Sequence, residues 1–147
     1  MGRRLDSAMP MEVTAYWEGG TRVRTPVRAF EVRADEPPQY GGDDTAPMPT
    51  EVFLSSLAAC FLLAVRHVAG KDGFEPPDLA VRAEGTYDGL RFGKIRVEVR
   101  SSEPRVQDTI ARAVTYCYVS NTLREPPEME YVMADEPTSH GRPPGPG

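Results

Sequence analysis

Apolar and polar residues alternate with a period of two early in the chain, take helical spacing after residue 50, and return to period two after residue 79. That succession predicts strands, a helix, and strands again. Met11–Trp17 reads as a first strand, Glu18-Gly19-Gly20 as a turn, and Thr21–Arg24 as a second strand. Arg28–Arg33 sets Phe30 and Val32 against charged neighbours, which predicts a third strand with one buried face, stopped by Glu36-Pro37-Pro38. Thr50 is then a plausible N-cap, with Glu51 in the first turn, where a helix dipole favours an anion. From there to about Ala69 nearly every face is apolar, the mark of a central core helix, and Gly70 is its expected stop. Leu79–Thr86 and Phe92–Arg100 flank Tyr87-Asp88-Gly89-Leu90 as a hairpin. Pro104 opens a second helix, with Val106, Ile110, Ala113 and Val114 at helical spacing, leading into Cys117. Asn121–Arg124 suggests a further helical turn, and Glu128–Met133 a closing strand with Met129, Tyr131 and Met133 on one face. The order β-β-β-α-β-β-α-β describes an α+β fold with mostly antiparallel strands.

These 147 residues fit a single domain over 11–133, with a loose arm over 1–10 and a Pro- and Gly-rich tail over 134–147 that buries too little apolar surface to order. The formal charge of -5 is spread among interleaved signs, which leaves no basic stripe for nucleic acid. No apolar run is expected to approach the roughly 20 residues that cross a bilayer, so no membrane partner is expected. The N-terminal residues lack the apolar stretch of a secretory signal. Two cysteines are too few for a stapled secreted scaffold. A cytoplasmic location follows, in which a cysteine pair is redox-active more often than structural.

Those two cysteines carry the chemistry. Cys60 shares a helix face with Phe53, Leu57 and Ala64, and apolar burial raises a thiol's pKa and leaves it inert unless a cation stands beside it. On that ground alone both cysteines read equally as small core hydrophobes. The alternative is a peroxide-reducing pair. An arginine can hold a thiolate, a carboxylate can orient the arginine, and a second thiol can resolve a sulfenic acid. Arg33, Glu51 and Cys117 are the candidates for those roles beside Cys60, with Arg24 and Arg28 in reserve. Glu51 also reads as a simple first-turn carboxylate, and Tyr116 and Tyr118 as core aromatics or pocket walls. His67 follows Cys60 by about 10.5 Å of helix axis, too far for a hydrogen bond. No closely spaced metal ligands occur, and neither a metal nor another cofactor is expected.

The run from Tyr40-Gly41-Gly42-Asp43-Asp44 through Pro49-Thr50-Glu51 to Leu57-Ala58-Ala59-Cys60, followed by Cys117-Tyr118-Val119-Ser120-Asn121-Thr122-Leu123, resembles the OsmC/Ohr family of osmotically inducible and organic-hydroperoxide-resistance proteins. The resemblance covers roughly residues 11–133. It implies an intertwined homodimer, with curved sheets wrapped around long central helices and active sites at the subunit boundary. It also implies a peroxidase cycle in which Cys60 attacks a small-molecule hydroperoxide, Cys117 condenses with the resulting sulfenic acid, and a dithiol reductant, lipoyl-type or other, restores both. By position Arg33 resembles the activating arginine, reaching Cys60 across the dimer. Glu51 resembles its carboxylate partner, although the peroxidases usually place that residue where Thr50 stands. Two other readings remain open: a small-molecule-binding or structural protein with inert core cysteines, and an acyl-hydrolysing enzyme of hot-dog type that works without Cys60.

Overall fold

The structure, a computed structural model, describes residues 11–134. The arm over 1–10 and the tail over 134–147, apart from Ala134, lie outside the described residues. The described chain is α+β. Two antiparallel sheets, one of three strands and one a two-stranded hairpin, are joined by one long helix, and two short helices follow.

The first sheet is built from β1 (Tyr16–Trp17), β2 (Val23–Val27) and β3 (Phe30–Ala34) in that order. β1 is shorter than the expected strand over 11–17 and pairs only with Val23 and Arg24. That brevity is what admits Pro26 to the middle strand, because β1 does not extend far enough to need its missing N–H. Asp35, 1% exposed, closes the sheet onto the following loop. Its carboxylate accepts the hydroxyls of Thr21 (2.5 Å) and Thr45 (2.7 Å) and the backbone N–H groups of Glu36 and Thr45. These bonds favour the charged form and hold the Asp35 carboxyl well below the usual carboxylate range.

α1 runs Pro49–Lys71, one residue earlier and two later than the sequence suggested. Met48, not Thr50, is its N-cap, with Pro49 in the first turn. Gly70 does not end it. Gly73, with φ of +84°, does. The N–H of Gly73 bonds to Gly70 O and that of Phe74 to Ala69 O, the Schellman pattern, with Phe74 packed on the core. The glycine that mattered was the one needing a left-handed backbone, which spacing alone does not reveal.

β4 (Ala80–Asp88) and β5 (Arg91–Arg100) turn through Gly89 and Leu90. Pro104 opens a tight 3₁₀ stretch over Pro104–Thr109 instead of a regular helix, and α2 (Ile110–Tyr116) follows. α3 (Tyr118–Arg124) takes in more than the turn expected over Asn121–Arg124. The expected closing strand over Glu128–Met133 is absent: those residues pair with nothing described, and Tyr131 and Met133 are 84% and 91% exposed.

The core lies along one side of α1. Leu57, Phe61, Ala64, Val65 and Val68 meet Val106, Ala113 and Cys117 there, with Val81, Ala83, Ile95 and Val99 of the hairpin half-buried against them. By length and composition α1 would also cross a membrane, with a mean hydropathy of 1.9. The expectation that no apolar run approached that length therefore fails, since Arg66 and Lys71 alone charge the helix after Glu51. A central core helix meets the same criterion, and this one is sandwiched between the hairpin and α2–α3.

Candidate active site

Cys60 lies midway along α1, at a depth where helical spacing turns it toward the short helices. Leu57 and Ala64 on its stripe are buried, and Cys60 itself is half-buried. α2 ends at Tyr116, and Cys117 takes an extended conformation (φ −90°, ψ 107°) before α3 begins. This break swings Cys117 inward to full burial. Its sulfur caps α3, accepting the N–H of Ser120 at 3.4 Å.

The break brings the two cysteines together. They lie within hydrogen-bonding reach of each other, and both are free thiols. The Cys60 sulfur also accepts the backbone N–H groups of Val119 and Tyr118. Burial, reinforced by the neighbouring Cys117, nevertheless outweighs these amides and pushes the Cys60 thiol above its ordinary pKa. The two amides are site groups that the sequence reading missed. The only cue in the chain was the position of Cys117 at a helix boundary.

Arg33 and Glu51 lie elsewhere in the single chain. Arg33 donates to Glu18 at 2.8 Å and to Glu31 at 2.9 Å. Arg24, opposite it across β2 and β3, pairs with the same two glutamates at 3.5 Å and is the more buried of the two arginines. Arg28 stacks on the Phe30 ring in the β2–β3 turn. Glu51 accepts the Met48 N–H at 2.9 Å through one oxygen and so caps α1. Thr50, beside it, shares a 2.9 Å hydrogen bond with the Tyr87 hydroxyl. Tyr87 and Phe53 both stack on Phe92, forming an aromatic cluster at the N-terminal end of α1.

Tyr118 is exposed, and Tyr116 packs edge-on against His67, 4.9 Å between ring centres, with Lys71 above it. His67 and Lys71, with Leu63, Arg66, Phe74 and Glu75, line an open cleft of about 530 Å³ near the C-terminal end of α1. Among the described residues no cluster of histidine, cysteine and carboxylate could hold a metal ion.

The family model described as OsmC-like protein matches residues 41–132, the span that carries α1, both cysteines and the hairpin. The chain belongs to the OsmC-like family. None of the curated proteins matches it in sequence. Among solved structures, it is similar to an osmotic stress induced and detoxification response protein of Psychrobacter arcticus, with a TM-score of 0.67 and 16% identity over 78% of this chain and 89% of that one. An OsmC-like protein of Mycoplasma pneumoniae gives 0.65 and 21% over 80% and 89%. An organic hydroperoxide resistance protein of Legionella pneumophila gives 0.58 and 23% over 78% and 90%. At these identities the likeness establishes the OsmC-like fold, and the chemistry rests on the residues of this chain.

Proposed function

We propose that this OsmC-like protein is a thiol-dependent hydroperoxide reductase. The observation that carries the reading is the meeting of Cys60 and Cys117, far apart in sequence, at the first turn of α3. Solved OsmC-like relatives named for organic hydroperoxide resistance support the same class of reaction.

In the first step the Cys60 sulfur attacks the terminal oxygen of a hydroperoxide. The O–O bond breaks, the alkoxide leaves and takes up a proton as the alcohol, and Cys60 becomes a sulfenic acid. The Cys117 sulfur then attacks the Cys60 sulfur, and the hydroxyl departs with the Cys117 proton as water, leaving a disulfide. A dithiol reductant, lipoyl-type or other, returns both cysteines by exchange and is itself oxidised to a disulfide. The thiolate is the nucleophile, so the raised pKa of Cys60 calls for a cation. Arg33, contributed across a homodimer, supplies it in this reading, and Glu51 offers its second carboxylate oxygen to that arginine. The apolar surroundings of Cys60 favour organic peroxides, whose alkyl group gains by burial.

The test is the intact mass of the fully reduced protein after one equivalent of cumene hydroperoxide. Loss of two hydrogens per chain, abolished by Cys60→Ser, is expected. An unchanged mass with both thiols slow to alkylate overturns the proposal. It would favour a small-molecule-binding protein with inert cysteines, the reading to which the burial of Cys117 and the raised Cys60 pKa lend weight.

A further inference from the structure

The end of α1 and the body of α2 are joined at two adjacent points. Asp72, the C-cap residue of α1, takes the Arg112 guanidinium through both carboxylate oxygens, at 2.9 and 2.5 Å, the bidentate geometry in which arginine binds most specifically. Arg112 accordingly holds the Asp72 carboxyl below its usual range. One turn further along α2, Lys71 donates to the Tyr116 hydroxyl at 2.8 Å and lies 4.7 Å from the centre of its ring. His67 meets the other part of that ring edge-on. Arg112 and Tyr116, four residues apart, share a face of α2, and Lys71 and Asp72 are consecutive. The residue after Tyr116 is Cys117, where α2 stops.

Resting on the disulfide cycle proposed above, we infer that Asp72–Arg112 and Lys71–Tyr116 form a double latch that positions Cys117 for attack on the oxidised Cys60. The four are positioning residues. None touches the reacting sulfurs, and each acts through the place where α2 ends. Ile110, Ala113 and Val114 seat α2 on the core, but Ala113 is the one fully buried side chain of that helix, which leaves the setting of its end to the polar ties. A seven-residue helix is too short to be stable by itself, so its end is fixed by what ties it to α1.

The latch bears on one step only. Sulfenic acid formation needs Cys60 and the peroxide, and α2 contributes nothing to it. Condensation needs the Cys117 sulfur in line with the Cys60 sulfur as the S–O bond breaks. A second peroxide molecule competes for the same sulfenic acid, transferring an oxygen to give the sulfinic acid and another molecule of alcohol. Loosening α2 therefore shifts the division between disulfide and sulfinic acid without changing how fast Cys60 is first oxidised.

The experiment mixes the reduced full-length protein with excess cumene hydroperoxide, quenches at intervals and reads intact mass. The disulfide appears as loss of two hydrogens and the sulfinic acid as gain of two oxygens. Lys71→Met and Arg112→Met, singly and together, should leave the rate of first oxidation within about twofold. They should slow condensation by about tenfold or more, as misplacement by about 1 Å can cost a hundredfold, so that sulfinic acid accumulates. Lys71→Arg, which can still donate to the Tyr116 hydroxyl, should restore the wild-type division. If the double variant does not fold, the single variants and Tyr116→Phe carry the test. Wild-type partitioning in folded single variants overturns the latch while leaving the disulfide cycle intact. A wild-type protein that forms no disulfide removes the cycle first and the latch with it, and because that control carries no substitution the two failures are told apart.

Discussion

The Cys60 sulfur accepts the backbone N–H of Val119, so a thiol from the middle of α1 is met by the first turn of α3. Burial raises its pKa and the amides of Val119 and Tyr118 oppose the rise without cancelling it. At neutral pH such a group is held mostly as the thiol, and its thiolate fraction grows about tenfold per pH unit until the folded pKa is reached. The same sign governs stability: the neutral form favours the fold below the unfolded thiol value near 8.5, and that advantage is lost as pH rises through the folded value. A guanidinium beside the sulfur reverses the shift. If Arg33 fills that role across the dimer, Arg33→Met should move the pH profile of Cys60 alkylation to higher pH. At pH 7 labelling should slow by about tenfold for each unit of displacement. Superimposable profiles for the two proteins would remove Arg33 from the site and leave Arg24, its cross-strand partner, to be tried next.

Glu51 is bound through one oxygen to the Met48 N–H, and the two parts assigned to it can be separated. Glu51→Gln keeps an oxygen able to cap α1 and removes the charge that would orient an arginine. Glu51→Ala removes both. The expected result is that Glu51→Ala costs about 1 kcal/mol in urea unfolding. Glu51→Gln should cost only a few tenths, and both should slow peroxide consumption by about tenfold, the effect of losing one charged hydrogen bond. Peroxide consumption by Glu51→Gln at the wild-type rate would leave Glu51 as a helix cap alone.

Asp35 makes a separate prediction, about the loop that delivers the chain to α1. Its carboxylate is buried and accepts four hydrogen bonds that all favour the charged form. A depressed folded pKa stabilises the fold above the unfolded carboxyl value near 4, and that contribution fades as the pH falls below it. Asp35→Asn should therefore lower the thermal midpoint by several degrees at pH 7, and the gap from wild type should narrow below pH 4. A gap independent of pH would mean that shape, not charge, is what the site requires. Gly42→Ala should disturb the same loop, because a Cβ there would lie 1.8 Å from the Glu36 carbonyl oxygen. Denaturant unfolding should show a loss at the upper end of the roughly 1–3 kcal/mol typical of overpacking.

Much of this architecture could be read from the chain, and the failures have identifiable causes. The core helix was legible because the chain from Val52 to Val68 is apolar on nearly every face, and the hairpin because Val81 and Ala83 on one side of Gly89, and Ile95, Val97 and Val99 on the other, alternate with charged residues. The helix stop was misplaced because Gly70 and Gly73 look alike in sequence, and only φ tells which ends the helix. Cys60 and Cys117 were named, but their meeting depends on the extended backbone at Cys117, a single-residue break that no periodicity records. The surroundings of Arg33 were not legible either. Whether a guanidinium pairs with Glu18 and Glu31 depends on strand register, which is set by pairing and not by composition.

The missing strand over Glu128–Met133 and the exposed face of β3 lead to the last prediction. Alternation set Phe30 and Val32 toward a buried face, yet in the single chain they are 65% and 39% exposed, and Trp17 nearby is 77% exposed. α1 is as apolar as a membrane span, but only 33% of its most apolar window is buried. Apolar surface on this scale, spread over a sheet, a helix and an extended segment, marks an interface, and a second copy of the chain is the partner proposed here. Charges on the β3 face should then separate the copies without touching either cysteine. Val32→Glu and Phe30→Asp are expected to convert a dimer into a monomer in sedimentation equilibrium. Reaction with cumene hydroperoxide should fall with dimerisation, because Arg33 would no longer reach a neighbouring Cys60, and mixing with Cys60→Ser chains would not restore it. A wild-type chain that sediments as a monomer and still closes its disulfide at full rate would show that one subunit suffices, and Arg33 would lose its proposed part.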